Sequence, residues 1–229
     1  MGSEDLFHKR KARVSAELQR QKNLRLKNKR YLIVCEGTKT EPYYLNELLD
    51  DLRIRPQLVR IAPNVGVSPD RVVAHALTLY DEDALAGDAY DTVYCLFDRD
   101  THTTFDSAVQ RTKDLNSAGR PFVAITSTPC FEVWLLLHFG YSDKPFHFVG
   151  KKSVGDQVVA TLKTMPGFAN YGKGQKGIYG QLKDKLADAL THAYRLRRHG
   201  SDTGSNNPST DIDELGRVNT NILSLEILK

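Results

Sequence analysis

The sequence predicts an α/β fold: a parallel sheet flanked by helices, followed by a helical C-terminal extension. Two observations predict it. Short β-favouring apolar runs alternate with segments whose apolar residues recur at helical spacing, as far as Gly140. Past Gly140 the strand-like runs stop and helical spacing continues alone. Strands alternating with helices argue for a parallel sheet covered on both faces.

The elements follow in order. "YLIVC" (31–35) reads as a buried strand. Residues 42–52 read as a helix, with Leu45, Leu48, Leu49 and Leu52 on one face and Pro42 suited to its first turn. "QLVRIAP" (57–63) alternates as a second strand, and the turn-rich "PNVGVSPD" leads into a helix from Pro69 to Tyr80. "DTVYCLF" (91–97) is the third strand, and a more polar helix spans 104–118, ending near Gly119. "PFVAIT" (121–126) is the fourth strand, and "PCFEVWLLLHF" (129–139) a compact apolar helix. Then "VGDQVVATLKTM" and "GIYGQLKDKLADALTHAYRLRRH" read as helical. "GSDTGSNNPST" (200–210) has the composition of a flexible linker. From Asp211 one short helix is expected, or two pieces broken at Gly216. The domain boundaries expected are an N-terminal arm at 1–30, an α/β core at 31–140 and a helical region at 141–229.

The bulk numbers set limits. With 229 residues, 40% of them hydrophobic, the chain is large enough for one full domain. Such a domain buries roughly 70% of its unfolded surface. No apolar run approaches the ~20 residues of a membrane span. The charged N-terminus lacks the apolar core of a signal peptide, so a cytoplasmic protein with no membrane partner is expected. The three cysteines, Cys35, Cys95 and Cys130, lie in apolar stretches without metal-type spacing and read as reduced, buried thiols.

The net charge of +4 is unevenly spread: residues 8–30 hold ten Lys or Arg against one acid, Glu17. Such a segment serves either as a solvated helix or as a nucleic-acid arm, with Lys9, Arg10, Lys11 and Arg13 the densest part. Each neutralised phosphate would contribute a salt slope of about −0.7 to −0.9. No aromatic residue falls between Phe7 and Tyr31, so backbone attraction rather than base stacking is the expected role.

The carboxylates fall at strand ends. Glu36 follows the first strand; Asp98 and Asp100, in "YCLFDRD", follow the third. Ligands of open parallel sheets bind beyond the carboxyl ends of the strands. Residues two apart in an extended segment share a side, so Asp98 and Asp100 aim together with Arg99 turned away. With the first and third strands adjacent, Glu36 joins them. Three close carboxylates repel unless a cation compensates, and Mg²⁺ or Mn²⁺ is the natural one. The plainer reading of each acid alone is a cap or a loop charge.

In this order and at these separations, "LIVCEGTKTEPYY", "FDRD" and "TPCFEVWLLLHF" resemble the RloB-like family, whose members are similar to Toprim-fold proteins. The resemblance covers residues 31–140 well and continues more thinly through "YGKGQKGIYGQL" and "NNPST". It implies a Toprim-like, Rossmann-like sheet with a Mg²⁺ site. Glu36 carries over as the first-strand acid, a metal ligand or a general base or acid, and Asp98 and Asp100 as metal ligands. It implies a nuclease of antiphage defence acting on RNA such as tRNA, or on DNA, beside an ABC-type ATPase partner. The sequence departs from topoisomerases of that fold. No strand-passage domain is legible in it and "THTT" after Asp100 brings no further acid, so metal-assisted hydrolysis is expected rather than strand relaxation.

Other candidates carry paired readings. Glu132 sits among apolar neighbours. Either it begins a helix capped by Thr128 and Pro129, where the dipole favours its charge, or it is a site carboxylate, as its place in the family string favours. Lys39 either neutralises a phosphate or is solvated. His138 reads as a packing residue or a catalytic one, and His102 can approach substrate. Lys173 and Lys176, in "YGKGQKG", form a second basic loop whose glycines permit close approach to phosphate. A P-loop ending is absent, so no ATP hydrolysis is expected. The principal reading is a metal-dependent nuclease. The alternative is a non-catalytic adaptor that binds nucleic acid or the ATPase, and primase-like phosphoryl transfer is a third. Oligomeric state, a homo-oligomer included, stays open.

Overall fold

The computed structural model describes residues 29–63, 68–100, 102–148, 150 and 152–216. Lys9, Arg10, Lys11 and Arg13 lie outside them. The strands are β1 (Tyr31–Cys35), β2 (Val59–Pro63), β3 (Thr92–Asp98), β4 (Phe122–Thr128) and β5 (Ser209–Thr210). The helices are α1 (Thr40–Asp51), α2 (Pro69–Leu85), α3 (Phe105–Ser117), α4 (Glu132–Leu137), α5 (Val154–Leu162), α6 (Ile178–Leu182) and α7 (Leu186–Thr203). Two 3₁₀ turns, Lys183–Lys185 and Ile212–Gly216, complete the elements among the described residues.

The five strands form one Rossmann-like sheet in the order β2-β1-β3-β4-β5. The first four are parallel, and β5 joins β4 antiparallel. The order reverses between β1 and β3, so a crevice opens there beyond their carboxyl ends. All five β1 residues are buried, which suits a central strand covered on both faces.

Each face has its own core. On one side Leu32, Val34, Val93, Cys95 and Phe97 pack under α2 and α3. On the other, Ile33, Cys35, Tyr94 and Leu96 join Tyr44, Leu45 and Leu48 of α1, Trp134 of α4, and Leu186, Ala189 and Ala193 of α7. The region after Gly140 therefore shares the core of the sheet. Helix α5 starts with a reciprocal cap: Ser153 Oγ accepts from the Asp156 N–H at 3.1 Å, and the Asp156 carboxylate accepts from the Ser153 N–H at 3.0 Å.

The segment read as a linker differs from that expectation. Residues 200–203 extend α7, and Ser209–Thr210 pair with β4. Polar composition hid the reason: the Asp211 carboxylate accepts from the Thr126 N–H at 3.2 Å and from its hydroxyl at 2.7 Å. Arg197 adds a two-pronged ion pair to buried Asp213, at 2.6 and 2.9 Å. Among the described residues, no helix is long and apolar enough to cross a membrane.

Candidate functional site

The chain leaves β1 at Glu36, whose N–H donates to the Leu96 carbonyl of β3 at 2.9 Å. This rung beyond the strand turns the side chain into the crevice. There Glu36 Oε2 accepts from the Asp98 N–H at 2.9 Å, and Oε1 stands 3.1 Å from His102 Nε2. The Asp98 carboxylate accepts in turn from the Phe131 N–H, just before α4, at 3.2 Å. Strand β3 ends at Asp98, and Asp100 reaches the same crevice through a turn with φ of +24°. That backbone lies outside the regions ordinary residues prefer, though Asp tolerates it better than most. Arg99 faces away, its guanidinium 4.9 Å from the Phe105 ring centre.

A cleft of about 310 Å³ results, lined by Glu36, Lys39, Glu41, Asp98, Asp100, His102, Glu132 and Lys173, among others. The structure thus brings together Glu36, Lys39, Asp98, Asp100, Glu132 and Lys173. Lys176 stands apart from that lining, with its ammonium 5.1 Å from the Tyr43 ring centre on α1. His138 belongs to the core: Nδ1 contacts the Trp134 carbonyl at 3.0 Å and Nε2 the Tyr44 hydroxyl at 3.2 Å. Thr128 lies within β4, so α4 starts at Glu132 without the expected Thr128–Pro129 cap.

Glu132 is 2% exposed, yet it borders the cleft. The Tyr171 hydroxyl donates to its Oε1 at 3.1 Å, and Lys173 Nζ stands 3.5 Å from its Oε2. Glu132 thus opens α4 and borders the acid-lined cleft. Sequence reasoning missed Glu41 and Tyr171. Glu41 was legible as an acid in the first turn of α1, just past the loop that follows Glu36. Tyr171 carried no signal of its own.

The cleft is short of positive charge. Burial pushes the Glu36 carboxyl above its usual range, against hydrogen bonding from Asp98 and the charge of His102, and Asp100 adds to the rise. Burial also raises Glu41, with Glu132 and Glu36 adding repulsion. Asp98 is pushed well up by burial, then by Glu41, Glu132 and Glu36. Burial pulls the Lys173 ammonium down, but Glu132 and the neighbouring acids outweigh it and hold it above its usual value. A set of hard oxygen donors that destabilise one another's charge suits a divalent cation. Among the described residues, no three His, Cys, Asp or Glu side chains already form a closed ligand set.

The three cysteines are free and buried, with Cys95 pushed up to about 12 by burial. They sit in the core as inert thiols.

Comparison with curated proteins finds no match. Comparison with protein families matches residues 31–216 to the family described as RloB-like protein. That span takes in β1, the cleft residues and the Asp211–Thr126 and Arg197–Asp213 contacts. The chain belongs to the RloB-like family.

Proposed function

We propose that the chain is a Mg²⁺- or Mn²⁺-dependent nuclease of the Toprim type. It hydrolyses phosphodiesters of RNA such as tRNA, or of DNA, as an antiphage effector controlled by an ABC-type ATPase. One observation carries the reading: Glu36, Glu41, Asp98 and Asp100 meet at the crevice between β1 and β3, with Glu132 beside them.

Glu36, Asp98 and Asp100 would hold the cation, with Glu41 close by. When bound, such an ion offsets the clustered charge, polarises a scissile phosphate and makes water a better nucleophile. The protein's own residues do the rest. Glu36 is fixed by the Asp98 N–H and faces His102, so the pair can hold a proton taken from the attacking water. Lys39 and Lys173 line the same cleft and attract the phosphate group. Burial of Glu132, with its Tyr171 hydrogen bond, keeps one wall of the cleft in place.

The test is calorimetric titration with Mn²⁺ of the wild type and of a Glu36→Gln/Asp98→Asn double variant. Nuclease assays on RNA and DNA with the ATPase present follow. Saturable binding lost in the variant, with metal-dependent cleavage lost alongside, supports the proposal. Cleavage that survives in the double variant would overturn it. An intact defence phenotype in that variant, abolished instead by neutralising the N-terminal arm, would favour the adaptor.

A further inference from the structure

One cation in the cleft belongs to the chain itself. Lys173 Nζ reaches Glu132 Oε2 from a stem whose side chain is 57% exposed, whereas Glu132 is 2% exposed. The contact joins a movable donor to a fixed acceptor. Nearby Asp98 acts on the same ammonium through its charge, and the ammonium in turn eases the charge of Glu41.

The backbone under Lys173 is held. The Gly174 N–H donates to Thr40 Oγ1 at 2.9 Å. Further along the chain, the Gly177 and Tyr179 N–H groups donate to the two Glu47 oxygens at 2.6 and 3.1 Å. Gly174 has φ of +78°, and a Cβ there would stand 3.0 Å from Lys39 Cδ. Residues 172–177 therefore form a strap docked on α1 and the loop before it. This strap delivers one ammonium into the acid cluster from a region far along the chain. The strap is held through its backbone, whereas the Lys173 side chain is exposed and meets the cleft through its contact with Glu132.

We propose that Lys173 is a tethered stand-in for the divalent cation: its ammonium partly offsets the acid cluster in the metal-free protein and is displaced when the metal binds. The inference rests on the metal reading above and assigns that site a built-in competitor. An ammonium beside Glu132 lowers the site's affinity for a second cation through like-charge repulsion, and removing it raises that affinity. The displaced ammonium stands at the cleft mouth, where a substrate phosphate would meet it. Metal and substrate would then be taken up together, because each removes a reason for Lys173 to stay on Glu132.

The experiment is Mn²⁺ calorimetry on the full chain as wild type, Lys173→Met and Lys173→Arg, with thermal midpoints read with and without Mn²⁺. Lys173→Met is expected to bind Mn²⁺ about tenfold more tightly, as loss of a partly solvated like charge implies. Without metal it is expected to melt lower than wild type, and Mn²⁺ is expected to restore it. Lys173→Arg keeps the charge and should keep the wild-type affinity. Binding by Lys173→Met alone, with none by wild type, would support the inference most directly. Equal or weaker binding by Lys173→Met, with wild type binding normally, overturns the competitor while leaving the metal site standing. No binding by any of the three overturns the metal reading and the inference with it.

Discussion

A Cβ placed on Gly37 would press into the Glu41 carboxylate, 2.8 Å from its Cδ. Glu41 is 9% exposed and has little room to withdraw. Gly37 is thus the residue that lets the Glu41 carboxylate approach the tip of β1. Gly37→Ala is expected to reduce the Mn²⁺-dependent rise in thermal midpoint to the same extent as Glu41→Gln. A Gly37→Ala protein that keeps the full rise would place Glu41 outside the functional site.

Asp98→Asn should separate stability from function. Asp98 is pushed up by burial and then by three neighbouring acids, so the folded state suffers when the group ionises. Neutralising it should raise the metal-free thermal midpoint by about 2–4 °C, the equivalent of about 1 kcal/mol. Stabilisation by Mg²⁺ and any cleavage should disappear. A lower midpoint would point to a structural role.

The same shifts set the pH dependence of the metal-free protein. Glu36, Glu41 and Asp98 are all raised by burial first. Raised carboxyls contribute stability that is complete below their unfolded values and lost as pH climbs through the folded ones. Denaturant melts are therefore expected to show stability falling as pH rises above the ordinary carboxylate range. Mg²⁺ should flatten that fall, and a flat metal-free profile would contradict the assignment.

His138 acts on the acid side. Burial lowers it to about 4 from the ordinary 6.5. A depressed base contributes stability that is present above 6.5 and lost as pH falls toward 4, a total of about 3 kcal/mol. His138→Gln should lose some packing and also flatten this limb. An unchanged slope between pH 6.5 and 4 in the variant would show that another group carries it.

The N-terminal arm makes a prediction in salt. Replacing Lys9, Arg10, Lys11 and Arg13 with Gln should shrink the slope of log affinity against log salt by about 3, if each contacts a phosphate. Fluorescence anisotropy with single-stranded RNA measures it. An unaltered slope would leave the arm a solvated segment.

The parallel sheet was legible in the alternation of "YLIVC", "VYCLF" and "PFVAIT" with helical spacing, because strands buried on both faces are continuously apolar. So were Glu36, Asp98 and Asp100, whose positions follow from where strands stop. What spans long sequence distances was not legible. The approach of Tyr171 and Lys173 to Glu132 depends on how the C-terminal helices fold back over the sheet. Strand β5 escaped notice because two residues, Ser209 and Thr210, show no periodicity. Helix α4 was misjudged at its start because Thr128 still belongs to β4, whose register pairs Asp98 with Ser127.

Strand β5 has a consequence for how molecules meet. An open parallel sheet presents unpaired amide and carbonyl groups along its last strand, a template for another chain. Ser209 and Thr210 occupy that place on β4 at Thr128 and Ser127. A chain cut before Ser209 would bare the rim of the very strand whose Ser127 carbonyl, with that of Pro129 just past its end, steadies Arg99 and Asp100. Clumping in solution and a slackened acidic turn would then arise from one cut, so this two-residue strand guards the rim of the sheet and the shape of its cleft together.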